Sequence, residues 1–161
     1  MAEKKRIGIS ACLIGMKYRF DGQHKMHQEL IDALSEHYDF FPICPEMEAG
    51  LSVPRETTDL HLEGSGKLRI IGNDTKTDYT EQICDWCYMK LEQLQNKKLC
   101  GFIFKSKSPC CALKTAKIYR DGKLVSDKGF GLFAEMYRRR FFSNPCVEEH
   151  DYKKFLEIIG K

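Results

Sequence analysis

Short apolar segments alternate along this chain with longer segments of helical periodicity. The strand candidates are residues 6–12, 39–44, 67–72 and 99–105, and the helix candidates are residues 24–38, 78–96, 132–141 and 151–159. Strands that alternate with helices are typical of an α/β fold. Residues 116–119 and 123–125 flank an Asp-Gly turn, which predicts a hairpin. We therefore expect an α/β fold with a mainly parallel central sheet, flanked by helices, and a small hairpin.

Length and charge limit the class of protein further. A single domain over residues 1–161 is expected, because domains typically contain about 100 to 200 residues. No apolar run approaches the roughly 18 residues of a membrane span, so no membrane partner is expected. The charged residues 1–6 do not resemble a secretory signal, which favours a cytoplasmic location. A net charge of +3 is too small to predict a stable nucleic-acid partner.

Eight cysteines are the unusual feature of the composition. Cytoplasmic thiols are kept reduced, and a chain of this length can bury an adequate core without disulfides. These cysteines are therefore interpreted as buried apolar residues, metal ligands or reactive groups. They occupy positions 12, 44, 84, 87, 100, 110, 111 and 146.

Three of the cysteines, Cys12, Cys44 and Cys111, follow predicted strands. The carboxyl ends of parallel strands share one edge of a sheet, where ligands bind. The intervals between these residues are long enough for crossover helices, so the three thiols can converge. Three thiolates suit a soft metal centre of iron–sulfur, zinc or copper(I), with one coordination position left open. The alternative is that each cysteine is a small buried residue at the end of a strand.

Polar residues near these cysteines suggest a reactive site. Glu46 follows Cys44 by two positions, and Ser108 precedes Cys111 by three. A carboxylate and a hydroxyl beside a metal suit acid–base work on a bound substrate, although a loop carboxylate is more often simply solvated. Arg19 and Arg55 lie in predicted loops, where a guanidinium can orient a heterocycle or an anion, or can form an ordinary ion pair.

Two other motifs have structural alternatives. Cys84 and Cys87 form a CxxC pair, but the pair lies within a predicted helix and no second CxxC follows at zinc-ribbon spacing. Helix packing is one interpretation, and a thiol–disulfide oxidoreductase is the other. The arginines at 138–140, which lie beside aromatic residues, suit either RNA binding or a solvated helix face.

Five segments in order resemble the iron–sulfur-dependent thiouracil desulfidases (TudS-like proteins), which were long catalogued as a bacterial domain of unknown function. The segments are Ile-Ser-Ala-Cys-Leu at 9–13, Tyr-Arg-Phe-Asp-Gly at 18–22, Ile-Cys-Pro-Glu at 43–46, Gly-Leu-Ser-Val-Pro-Arg at 50–55 and Lys-Ser-Lys-Ser-Pro-Cys-Cys at 105–111. The resemblance covers nearly the whole chain.

The resemblance implies a 4Fe–4S cluster held by Cys12, Cys44 and Cys111, with a fourth iron free to bind the substrate's sulfur. The cluster is expected to be lost readily in air, because an iron with no protein ligand is exposed to oxidants. It also implies that Glu46 and Ser108 serve in acid–base and positioning roles. The expected activity is hydrolytic removal of sulfur from thiolated pyrimidines, supplied as a small-molecule nucleobase or nucleoside. The alternatives that stay open are a noncatalytic metal-binding or iron–sulfur module and an oxidoreductase that uses Cys84 and Cys87.

The chain departs from the family pattern at two places. The usual Ser-Pro-Ser-Cys-Gly segment reads Ser-Pro-Cys-Cys-Ala at 108–112, so Cys110 either competes for iron or simply replaces a serine. The later Gly-Asp-Gly segment reads Gly-Phe-Gly at 129–131 and lacks the carboxylate. These differences bear on the substrate more than on the cluster.

Overall fold

A computed structural model of the protein describes residues 4–15, 27–52 and 54–159. The strands in chain order are β1 (Lys5–Ser10), β2 (Tyr38–Ile43), β3 (Thr58–Leu62), β4 (Leu68–Gly72), β5 (Leu99–Phe104), β6 (Ala116–Arg120), β7 (Lys123–Gly129) and β8 (Cys146–Glu148). The α-helices are α1 (Gln28–Leu34), α2 (Pro45–Glu48), α3 (Thr80–Leu94), α4 (Leu132–Arg140) and α5 (Tyr152–Ile159). Short 3-10 turns cover Ala11–Ile14 and Glu149–Asp151.

The first sheet is parallel throughout and has the strand order β2–β1–β5–β8. Parallel strands are buried on both faces, which agrees with the continuous apolar runs of β1 and β5. Pro42 fits within β2 because β2 is an edge strand, where a missing N–H does not interrupt the ladder. Ser10 pairs with Ile43, so β1 and β2 end side by side at the carboxyl edge. This sheet and its helices confirm the predicted α/β class.

Helices cover both faces of the first sheet. Successive side chains of a strand point to opposite faces, so Phe102 and Phe104 face one side and Ile103 faces the other. The phenylalanines pack with buried residues of α3 and α4, and Ile103 packs with buried residues of α1 and α5. Among the described residues, no helix is both long enough and apolar enough to cross a membrane.

The predicted hairpin is part of a second four-stranded sheet. This sheet has the order β4–β3–β6–β7, in which β3 and β6 are parallel and the two outer pairs are antiparallel. β3 has no strand pattern in the sequence because three of its five residues are polar, and only Leu60 within it is fully buried. β8 has only three residues, too few for such a pattern. Neither strand is predicted from the sequence.

Several predicted boundaries are wrong by a few residues. The helix predicted over 24–38 is described from Gln28 to Leu34; residues 24–26 lie outside the described residues, and Tyr38 already begins β2. The loop predicted over 46–55 contains most of α2. Helix ends depend on capping and tertiary contacts more than on apolar periodicity, which explains these differences.

Candidate functional site

A cavity of about 650 Å³ lies at the carboxyl edge of the first sheet. Cys12, Cys44 and Cys111 all line it. Cys12 lies in the turn that follows β1, and Cys44 directly follows β2. Cys111 belongs to residues 105–115, which connect β5 to β6 and are called the Cys111 loop below. The second sheet supplies the opposite wall through the first residues of β3 and through Lys117 and Tyr119 of β6.

The three thiols are close enough to influence one another. The pKa of Cys44 is raised to about 11, mainly by burial. The Met47 backbone amide and Arg55 oppose the rise, and Glu46 and Cys12 add to it. Burial also raises the pKa of Cys111 well above its usual value, and the thiols of Cys44 and Cys12 add to the effect. Metal binding has to displace the protons of such thiols, because the thiolate is the ligand.

The donor set fits an iron–sulfur cluster. In residues 4–15, 27–52 and 54–159, no three His, Cys, Asp or Glu side chains are spaced to hold a single metal ion. A four-iron cluster has a different requirement, because each cysteine binds a different iron atom and the sulfurs surround the cluster. Thiolates are the usual ligands of such clusters, and Cys12, Cys44 and Cys111 lie around one cavity.

Glu46 and Arg55 form an ion pair in the wall of the cavity. The Nε of Arg55 donates to Oε2 of Glu46 at 2.8 Å, and the two side chains are only 7% and 14% exposed, respectively. The Nη1 of Arg55 also donates to the backbone carbonyl of Ser52 at 3.3 Å. The predicted catalytic carboxylate and one predicted substrate-binding arginine are therefore in direct contact. Arg19, the other predicted substrate-binding residue, lies outside the described residues.

Ser108 orders the backbone around Cys111. Its Oγ accepts hydrogen bonds from the backbone N–H groups of Cys110 at 3.2 Å and Cys111 at 2.9 Å. Both bonds use the hydroxyl as an acceptor, so its proton remains available for donation. Ser108 also lines the cavity.

Two buried carboxylates at the end of β8 hold the Cys111 loop, and neither is predicted from the sequence as a site residue. Oε2 of Glu148 accepts from the backbone N–H groups of Leu113 at 3.0 Å and Lys114 at 3.3 Å, and from Oγ1 of Thr115 at 2.6 Å. Oε1 of Glu149 accepts from the backbone N–H of Ser106 at 2.8 Å. Their burial, at 4% and 8% exposed, distinguishes them from solvated acids, and this burial is not visible in the sequence.

Cys110 does not line the cavity. Its side chain is fully buried in the core between the first sheet and helices α3 and α4. The structure thus separates two adjacent thiols, since Cys111 lines the cavity and Cys110 packs as an apolar residue.

The CxxC pair lacks the properties of a redox pair. Cys87 is fully buried, and burial raises its pKa to about 12. Burial also raises the pKa of Cys84. Reactive cysteines need a lowered pKa and partial exposure, so the positions of these residues favour the helix-packing interpretation.

The chain is similar to one protein family, one curated protein and one solved structure. The family model described as 2-thiouracil desulfurase matches residues 7–149. The uncharacterized protein YbbK of Bacillus subtilis (strain 168) is 27% identical over 131 residues, which cover 75% of this chain and 83% of that protein. A solved structure of a [4Fe-4S]-dependent thiouracil desulfidase, TudS, is 25% identical. That similarity covers 98% of this chain and 99% of the other, with a TM-score of 0.77.

Proposed function

Because this chain belongs to the 2-thiouracil desulfurase family, we propose that it removes sulfur from thiolated pyrimidines at a 4Fe–4S cluster held by Cys12, Cys44 and Cys111. The observation that carries the proposal is that these three thiols, from the segments that follow three separate strands, line one cavity. The similar TudS protein is described as a [4Fe-4S]-dependent thiouracil desulfidase, which supports the choice of cluster and substrate class.

Three protein ligands leave the fourth iron without one. When bound, such a cluster supplies a Lewis acid that polarises the soft sulfur of a thiocarbonyl group. The reaction is a hydrolysis: a water oxygen forms the new bond to the ring carbon, the C–S bond breaks, and sulfide leaves. No electrons are gained or lost overall.

Glu46 is the general base of this proposal. Arg55 occupies Oε2 of Glu46 among the described contacts, so Oε1 can accept a proton from the attacking water. Arg55 acts as a positioning residue because its planar guanidinium holds the carboxylate in one orientation. Ser108 holds the backbone at Cys111. Its hydroxyl proton takes no part in the bonds to the Cys110 and Cys111 N–H groups and can be donated to the substrate.

The cavity suits a small polar molecule. Its volume of about 650 Å³ lies within the range of small-molecule sites, which supports a nucleobase or nucleoside as substrate. A nucleic-acid partner has less support, because the arginines of α4 are engaged: Arg138 and Arg139 pair with Glu135, and Arg140 pairs with Glu92. A cluster held by thiolates needs reduced cysteines, which supports a reducing, cytoplasmic location.

Anaerobic purification and reconstitution test the proposal. We expect about four irons per chain and sulfide release from 2- or 4-thiouracil or their nucleosides. The Cys111→Ala variant should lose both properties, whereas Cys110→Ala, which removes the adjacent buried thiol, should keep both. A colourless protein with one zinc per chain and no sulfide release would refute the proposal in favour of a noncatalytic module. A dithiol activity that depends on Cys84 would refute it in favour of an oxidoreductase.

A further inference from the structure

Ser10 lies where the three strand ends of the cavity meet. It is the last residue of β1, it pairs with Ile43 of β2, and it precedes Cys12 by two positions. Ser10 lines the cavity although it is only 2% exposed.

The hydroxyl of Ser10 faces two parts of the Cys111 loop. Its Oγ accepts the backbone N–H of Lys105, directly after β5, at 2.9 Å. Ser10 and Cys111 also line the same cavity, and a hydrogen bond with the Ser10 side chain opposes the rise that burial causes in the pKa of Cys111. A sulfur that binds iron carries no proton and can only accept, so in the ligated state the hydroxyl proton is the group that is donated to sulfur. One buried side chain therefore joins the ends of β1 and β5 to the sulfur of the Cys111 loop.

We propose that Ser10 is a positioning residue for the cluster, whose hydroxyl orients the Cys111 sulfur and donates a hydrogen bond to it when iron is bound. The inference rests on the proposed function, because it requires Cys111 to be a ligand. A donor to a ligating sulfur stabilises the thiolate and raises the reduction potential of a cluster. Loss of such an outer partner typically weakens metal binding about 10- to 100-fold.

The test compares Ser10→Ala with the native protein after anaerobic reconstitution. We expect Ser10→Ala to lose iron to a chelator about 10- to 100-fold faster, and to show a more negative reduction potential. The control is Ser126→Ala, which removes a serine on β7 that likewise accepts a backbone N–H, from Lys128 at 3.1 Å. The control should match the native protein in both measurements.

A second pair of variants separates the hydroxyl from the volume of the side chain. The side chains introduced by Ser10→Thr and Ser10→Val have nearly the same shape, but only threonine retains the hydroxyl donor. This pair also serves as the test if Ser10→Ala does not fold. We expect the potential and the iron retention of Ser10→Thr to exceed those of Ser10→Val.

Two results would overturn the inference. One is equal potentials and equal iron loss for Thr and Val, and the other is a Ser10→Ala variant that only unfolds at lower temperature while its potential is unchanged. Failure of the native chain to bind a cluster would instead overturn the proposed function, so the two failures are distinguishable.

Discussion

Replacing Gly131 with alanine tests how tightly the Cys111 loop is packed against α4. Gly131 precedes α4, and its N–H donates to the carbonyl of Ala112 at 2.7 Å. The next amides continue the contact, since Leu132 N–H donates to Pro109 and Ala134 N–H donates to Cys110, at 3.0 and 3.1 Å. The first turn of α4 thus satisfies its own backbone donors with the carbonyls of the loop.

The structure gives the size of the expected effect. A β-carbon at Gly131 would lie 2.6 Å from both the carbonyl oxygen of Cys110 and the nitrogen of Cys111, whereas real contacts essentially never fall below 3.0 Å. These are backbone atoms, and the carbonyl carbon of Cys110 would lie closer still, so the loop has to move by more than 0.4 Å. Such overpacking typically costs about 1–3 kcal/mol, which corresponds to a fall in Tm of about 2–12 °C in a domain of this length.

The cost is steric, because φ of Gly131 is −67°, a value that alanine adopts freely. The control is Gly64→Ala, since a β-carbon there meets no atom within 4 Å. Thermal unfolding of the metal-free proteins, followed by circular dichroism, measures the loss of stability. Iron content after reconstitution measures the effect on the site, and Gly131→Ala should hold less iron because Cys111 is displaced. Equal Tm and equal iron content in the two variants would refute the reasoning.

Three further predictions concern Glu148, Glu56 and Glu46, the last through its partner Arg55. Glu148→Ala should lower the free energy of unfolding in urea by about 3 kcal/mol, because three donors lose a charged acceptor. Glu148→Gln should lower this free energy less. Equally small decreases in the two variants would contradict the prediction. Hydrogen bonds from Thr75, Tyr79 and Asp74 lower the pKa of Glu56 from 4.5 to about 2, so its contribution to stability is present above pH 4.5 and is lost as the pH falls towards 2. A plot of Tm against pH should therefore be flatter for Glu56→Gln in this window, and parallel curves would rule the effect out. Arg55→Lys should lower kcat for sulfide release about 10- to 100-fold, with a smaller change in KM. The reason is that the lysine amine keeps the charge but loses the planar contact that orients Glu46. An unchanged kcat would show that Arg55 does not position the base.

The main elements of the fold were predictable because their patterns are local. The apolar runs of β1 and β5 and the helical periodicity of α3 are each contained within about 15 residues. In contrast, β3 is a strand because it pairs with β4 and with the distant β6, and nothing within Thr58–Leu62 indicates those partners. The second sheet was therefore predicted only in part, as its hairpin and as the strand over 67–72 that corresponds to β4.

The candidate site was partly predictable for a related reason. Residues that directly follow parallel strands share one edge, so the positions of Cys12 and Cys44 suggested a common site. Their role as ligands, with that of Cys111, stays a prediction. The contacts of the site residues could not be predicted from the sequence. Arg55, nine positions after Glu46, has many possible partners, and the burial of Glu148 depends on how the Cys111 loop packs.

The sequence by itself determined most of the segments that form strands and helices, and that thiols follow several strands. Only the tertiary structure decided that Cys111 lines the cavity while the adjacent Cys110 packs into the core. The direction of a side chain in a loop depends on contacts that are remote in the chain. The Ser10–Lys105 hydrogen bond spans 95 positions and the Glu148–Leu113 bond spans 35, and such contacts exist only once the sheets have assembled and excluded water.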